Sequence, residues 1–165
     1  MEIKKFEVQY KEYIKGESIP QDIEEIIKSA VEATDTAYAP YSLYRVGSAV
    51  RMSNGEIIKG SNQENVAYPS GLCAERVALY AASSAYPNMD VISIAVTVKH
   101  DFKDSVGVFS PCGACRQVMA EIELKTGKKI EIIVHSLDGK TMIFDGVSQL
   151  LPFSFHNSGL IKKAK

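Results

Sequence analysis

Hydrophobic residues recur along this chain in two rhythms, every three to four positions and every second position, and each rhythm predicts its own kind of element. Between 19 and 37, Ile23, Ile26, Ile27, Ala30, Val31 and Thr34 form the single apolar stripe of an amphipathic helix. Ser18, with Gln21 three residues later, resembles a capping box at its start, and Pro40 in "YAPYS" breaks the run. "YRVGSAVRMSNGEIIKGSN" reads as two strands joined by Asn54-Gly55, a favoured two-residue hairpin turn. "PSGLCAERVALYAASSAYP" is small and apolar with no breaker between Leu72 and Tyr86, which predicts a buried helix. "DVISIAVTVK" is a continuous apolar strand, and "GVFSPCGACRQVMAEIELKTG" is a helix ending near Gly127. "KIEIIVHS", a turn at Asp138-Gly139 and "KTMIFD" supply two more strands, followed by a short helix from Val147 to Leu151 and a tail with Phe153 and Phe155. At the front, Phe6, Val8 and Tyr10 alternate with polar neighbours, the pattern of an edge strand.

After that first segment the order is helix, strand, strand, helix, strand, helix, strand, strand. Strands joined through helices predict an α/β fold: a mixed five-stranded sheet between helices on both faces, in three α/β/α layers. With no repeat, linker or low-complexity tract, residues 1–165 read as one domain, of which 1–18 are an N-terminal extension. "KHDFKDSVGV" reads as a surface loop.

A net charge of −1 gives no support for a nucleic-acid partner, whose phosphates call for a basic surface. The opening residues lack the apolar core of a signal peptide, and runs such as "VISIAVTV" are too short to span a bilayer, so the expected location is the cytoplasm, without a membrane partner. In that reducing compartment the chain's three cysteines point to metal binding or catalysis rather than to disulfides.

Those cysteines fall in "GLCAER" (71–76) and "SPCGACRQ" (110–117). Cys112 and Cys115, three apart at a helix start, can reach one ion, and Cys73 stands at the start of the other predicted helix. Helix N-termini stabilise thiolates, and three sulfurs suit one zinc ion per chain. A structural zinc site is closed by four protein ligands; three leave a corner for water, whose proton the metal makes easier to remove. His100, His135 or His156 could close the site, although none has ligand-like spacing to a cysteine. Three thiolates also donate so much charge that a nearby cation helps, a role open to Arg76 and Arg116; a solvated surface arginine is the competing reading, chiefly for Arg116. Glu75, on an otherwise apolar helix beside the metal, fits a proton shuttle with a raised pKa.

Cys-Ala-Glu at 73–75 and Pro-Cys-Gly-Ala-Cys at 111–115 resemble the small, homotetrameric, zinc-dependent cytidine deaminases. The likeness extends through "AYAPYSLYRVGSAV" (37–50), "GSNQENVAYPSGLCAERVALY" (60–80) and "LLPFSF" (150–155). The resemblance implies hydrolysis of cytidine and 2′-deoxycytidine to the uridine nucleosides and ammonia, in pyrimidine salvage, through a zinc-bound hydroxide. It implies Cys73, Cys112 and Cys115 as zinc ligands, Glu75 as the shuttle, and Asn62 and Glu64 as partners of the ribose. It further implies the Ala74 backbone at the pyrimidine edge, the Tyr44 ring on the base where the family usually has Phe, and a homotetramer with shared sites. Tyr68 and Phe155 match positions that are lent to a neighbouring subunit. On their residues alone, Asn62 and Glu64 alternate at a strand end and would otherwise be solvated.

Overall fold

The computed structural model describes residues 1–100 and 109–156. Most of the loop expected from "KHDFKDSVGV" therefore lies outside the described residues.

One six-stranded mixed sheet organises the chain in the order β1-β6-β5-β4-β2-β3. Its strands are β1 (Lys11–Tyr13), β2 (Arg45–Met52), β3 (Ile57–Ser61), β4 (Val91–Lys99), β5 (Glu131–His135) and β6 (Thr141–Asp145). Among the described residues three α-helices pack on it: α1 (Gln21–Ala33), α2 (Ala74–Ala85) and α3 (Gly113–Thr126). Only β4 and β5 run parallel, joined through α3; every other neighbouring pair is antiparallel.

The period of two along each strand sorts the side chains into two cores. Ala49, Ala95, Ile133 and Ile143 lie in register across four strands and meet Ile23, Ile26, Ile27 and Ala30 of α1. The adjacent row, Val50, Ile94, Ile132 and Phe144, faces the other way, onto Ala78, Leu79 and Ala82 of α2 and Met119 and Ala120 of α3. The expected three layers are present.

The sheet has six strands where five were expected, and the sixth is the N-terminal segment. It pairs later than its alternation suggests, Lys11 with Ile143 and Tyr13 with Thr141. β6 ends at Asp145, just before Gly146 (φ +93°), and the residues before Lys11 find partners outside the ladder. The Gln9 amide donates to Gln149 Oε1 at 2.8 Å, and the Tyr10 ring packs on Phe144 with centroids 5.3 Å apart. Phe6 and Val8 stay half exposed. The extension thus covers the sheet edge that β6 would otherwise present.

The boundaries of α1 also differ. Pro20 is its N-cap, without a side-chain cap, so Ser18 and Gln21 form no capping box; the amides of Ile23 and Glu24 both donate to the Pro20 carbonyl at 3.0 Å. The α-helix ends at Ala33 and tightens into a 3-10 turn over Thr34–Thr36, where the Thr34 hydroxyl donates to the Val31 carbonyl at 2.7 Å. Val31, expected on the buried stripe, is 44% exposed. The hairpin forms around Asn54-Gly55, but its loop has three residues, 53–55, rather than two: the Met52 amide donates to the Glu56 carbonyl at 2.9 Å, and the Met52 carbonyl accepts from the amide of Gly55 (φ +88°) at 3.0 Å. The short helix after β6 is a 3-10 turn, Val147–Gln149.

The approach of α2 to the sheet matters most for chemistry. A Cβ added at Gly60 in β3 would stand 2.4 Å from the Ala78 nitrogen and 2.8 Å from the Ala74 carbonyl oxygen. Both contacts are backbone, so the helix itself would have to move. Gly60→Ala is therefore expected to destabilise the fold by roughly 3 kcal/mol, at the upper end of ordinary overpacking; a denaturant midpoint within error of the parent would contradict the close packing.

Candidate active site

Two helix N-termini meet at one end of the cleft, and both begin on a cysteine. Cys73 is the N-cap of α2 and Cys112 the N-cap of α3, each in extended backbone just before the first helical residue. Cys115 lies one turn further into α3 and is fully buried. Cys73 Sγ is 3.7 Å from Cys112 Sγ, which is 3.4 Å from Cys115 Sγ, and all three lie within 4.8 Å of one another. A tetrahedral zinc with sulfurs at about 2.3 Å separates them by about 3.8 Å, so the set fits that ion. Among the described residues this trio is the one metal-competent cluster, and no histidine belongs to it.

Electrostatics distinguish the three thiols. The Cys73 thiol is drawn down to about 5, chiefly by the hydrogen bond from Cys115, with help from Arg76 and Cys112 against the cost of burial. Cys115 is pushed up, because its proton serves Cys73 and because burial and the Glu75 charge oppose a second thiolate. Arg76 Nη2 is 3.9 Å from Cys73 Sγ and 3.4 Å from the Gly71 carbonyl, while its Nε is buried without a hydrogen-bond partner. Burial would lower its pKa, but the Cys73 and Cys115 charges outweigh that and raise it. Arg76 is thus the cation at the sulfurs.

Arg116 takes a different place from the one expected. Its Nε donates to the Pro111 carbonyl and its Nη1 to the Leu150 carbonyl, each at 2.7 Å, and its Nη2 to Ser110 Oγ at 2.8 Å. It braces the loop before Cys112 rather than lying against the thiols.

Glu75 occupies the first turn of α2 and is only 4% exposed. Burial raises its pKa, and the Cys73 charge adds to the rise. Both effects favour the protonated form of the carboxyl. Ala74, the first residue of α2, is fully buried, and its amide has no acceptor within the helix.

The cleft in front of these groups measures 1720 Å³, and its wall includes Tyr44, Asn62, Glu64, Tyr68, Cys73, Glu75, Arg76 and Cys112. Asn62 and Glu64 are brought to it, although just beyond the end of β3 rather than on it. Asn62 is largely buried; its Oδ1 accepts from the Val46 amide and its Nδ2 donates to the Tyr44 carbonyl, both at 2.8 Å. Glu64 accepts from the Ser42 hydroxyl and from the amides of Tyr41 (2.9 Å) and Ser42 (3.3 Å). Burial alone would raise the Glu64 pKa; those donors outweigh it and hold it below its usual value. Both side chains thus shape the segment 41–46, where Leu43 adopts φ +57°, a left-handed conformation uncommon outside glycine. The Tyr44 ring stacks on His100, centroids 4.7 Å apart and 18° between planes, a partner that sequence patterns did not suggest.

Tyr68 is 76% exposed beside Tyr41. Phe155 is equally exposed, and the wall of its own chain's cleft does not include it.

A three-thiolate pocket for zinc with a buried acid at its edge, set on an α/β/α scaffold, defines a zinc-dependent hydrolase. Residues 20–128 match the family described as the cytidine and deoxycytidylate deaminase zinc-binding region. The chain is 40% identical over 134 residues to the cytidine deaminase of Halalkalibacterium halodurans, covering 81% of this chain and 94% of that one. It is 34% identical over 146 residues to a probable cytidine deaminase of Dictyostelium discoideum, covering 88% and 91%. The crystal structure of cytidine deaminase from Burkholderia pseudomallei superposes with a TM-score of 0.69 at 34% identity, over 80% of this chain and 98% of that one. The chain belongs to the zinc-dependent cytidine deaminase family.

Arg76→Gln, which removes the cation from the sulfurs, is expected to weaken zinc binding about 10–100-fold in competition with a chelator. An unchanged zinc affinity would show that the guanidinium does not serve the thiolates.

Proposed function

We propose that the chain hydrolyses the exocyclic amine of cytidine and 2′-deoxycytidine, giving the uridine nucleoside and ammonia, as a single catalytic domain of pyrimidine salvage in the cytoplasm. The observation that carries this reading is Glu75, buried beside a cluster of three thiols to which no fourth protein ligand among the described residues belongs. Cys73, Cys112 and Cys115 would hold the zinc, which when bound would make a water easier to deprotonate.

The chain's own groups do the rest. Glu75 takes the first proton from the attacking water and delivers it to ring N3 while oxygen bonds to C4. It then carries the second oxygen proton to the amine; the C4–N bond breaks, ammonia leaves and the C4 carbonyl forms. The Ala74 amide at the start of α2, which has no acceptor within the helix, meets the pyrimidine edge. Tyr44, held against His100, offers its ring to the base. Asn62 and Glu64 meet the ribose hydroxyls from the wall they stabilise, Glu64 as an ionised acceptor.

The cleft supports a shared site. At 1720 Å³ it exceeds the roughly 300–1,000 Å³ usual for small-molecule pockets. A homotetramer in which neighbours lend Tyr68 and Phe155 fills the excess and covers those two exposed rings.

Glu75→Gln preserves shape while removing the proton carrier. It is expected to keep one zinc per chain and the parent's circular dichroism while losing about 10²–10⁴-fold in kcat or more, the usual span for a general acid–base group. The assay is the ultraviolet change with cytidine, 2′-deoxycytidine and an aminopyrimidine nucleoside antibiotic in parallel. Parent-like turnover in Glu75→Gln removes Glu75 from the reaction; turnover of the antibiotic alone reassigns the substrate; zinc without ammonia release from any of the three makes the protein a binding module.

A further inference from the structure

The described part of the tail, residues 151–156, has no helix or strand, and its two large rings are not buried: Phe153 is 90% and Phe155 76% exposed. Apolar packing against the described residues therefore leaves the Phe155 ring largely uncovered. Its backbone is nevertheless tied at two atoms. Gln117 Nε2 donates to the Phe155 carbonyl at 2.6 Å, and the Phe155 amide donates to Gln117 Oε1 at 3.1 Å. A primary amide is the side chain suited to this task, since it offers a donor and an acceptor side by side, as a neighbouring strand would. The preceding residue on α3, Arg116, fixes the start of the same tail through the Leu150 carbonyl.

We infer that Gln117 is a positioning residue, which clamps the backbone of Phe155 and so presents its ring outward in fixed register with the helix bearing Cys115. The inference rests on the proposed reading in which Phe155 completes the site of a second copy of this chain. Gln117 and Phe155 are 38 positions apart, and their pairing links the placement of a ring used by the neighbour to the same two turns of α3 that hold the metal ligand. Gln117 touches neither nucleoside nor sulfur in this account; it acts through Phe155.

The test is a double-mutant cycle on the zinc-loaded enzyme with Gln117→Met, Phe155→Ala and the combination, alongside Gln117→Glu, which keeps the shape but sets a carboxylate oxygen against the Phe155 carbonyl. Loss of two neutral hydrogen bonds is expected to raise KM for cytidine about tenfold, with zinc content unchanged and a smaller effect on kcat. The combined variant should be no worse than Phe155→Ala alone, because the two residues work as one unit. Parent-like KM in both Gln117 variants, or fully additive losses, overturns the clamp. If Phe155→Ala itself is silent, the shared-site reading of Phe155 fails first and is identified as the failure.

A second readout does not depend on turnover. The chain contains no tryptophan, so Phe155→Trp supplies a single indole. Adding Gln117→Met should shift its emission and quicken its depolarisation; identical spectra and anisotropy with and without Gln117 would contradict the clamp.

Discussion

Like charges resist being gathered, and the site exists only because three thiols are gathered within one ion's reach. The sulfurs lie 3.4–3.7 Å apart along Cys73–Cys112–Cys115, close enough that their protons already compete without a metal. Two helix N-termini, the Arg76 guanidinium and the cation they await offset the repulsion. Much of the remaining architecture serves that encounter. Gly60 lets α2 lie directly against β3, the parallel β4–β5 crossover delivers α3 to the same end of the sheet, and Arg116 braces the loop that leads into Cys112.

The same concentration of charge gives Glu75 its character. An acid on a solvated helix surface would be a plain carboxylate at neutral pH. Here burial and the neighbouring thiolate favour its protonated form, so a residue that composition alone would assign to the surface becomes able to give and take a proton. In the proposed reading structure and chemistry meet at one helical turn, in which residue 73 would hold metal, 74 offer an amide, 75 move protons and 76 balance charge.

How much of this was legible beforehand depended on the range of the interaction. Helix-starting cysteines, a C-x-x-C pair and an Asn-Gly turn are local signals, and each appears where its pattern placed it. The N-terminal strand was displaced, because alternation in Phe6, Val8 and Tyr10 says nothing of where β6, its partner, ends. The supposed cap at Ser18 yielded to Pro20 for a similar reason: a pattern three residues apart does not fix which residue enters the helix first. Longer-range partners left no trace. Arg116 reaches Leu150, Gln117 reaches Phe155, and Asn62 reaches back to Tyr44 and Val46, all through side-chain bonds to backbone that no periodicity encodes.

Zinc K-edge X-ray absorption on the purified protein addresses the central claim directly, since it counts the atoms around the metal in solution. The account predicts three sulfurs at about 2.3 Å and one oxygen at about 2.0 Å, without the multiple-scattering features of an imidazole. A fourth protein ligand, whether imidazole, carboxylate or sulfur from another chain, would contradict it, because the corner reserved for the attacking water would already be filled.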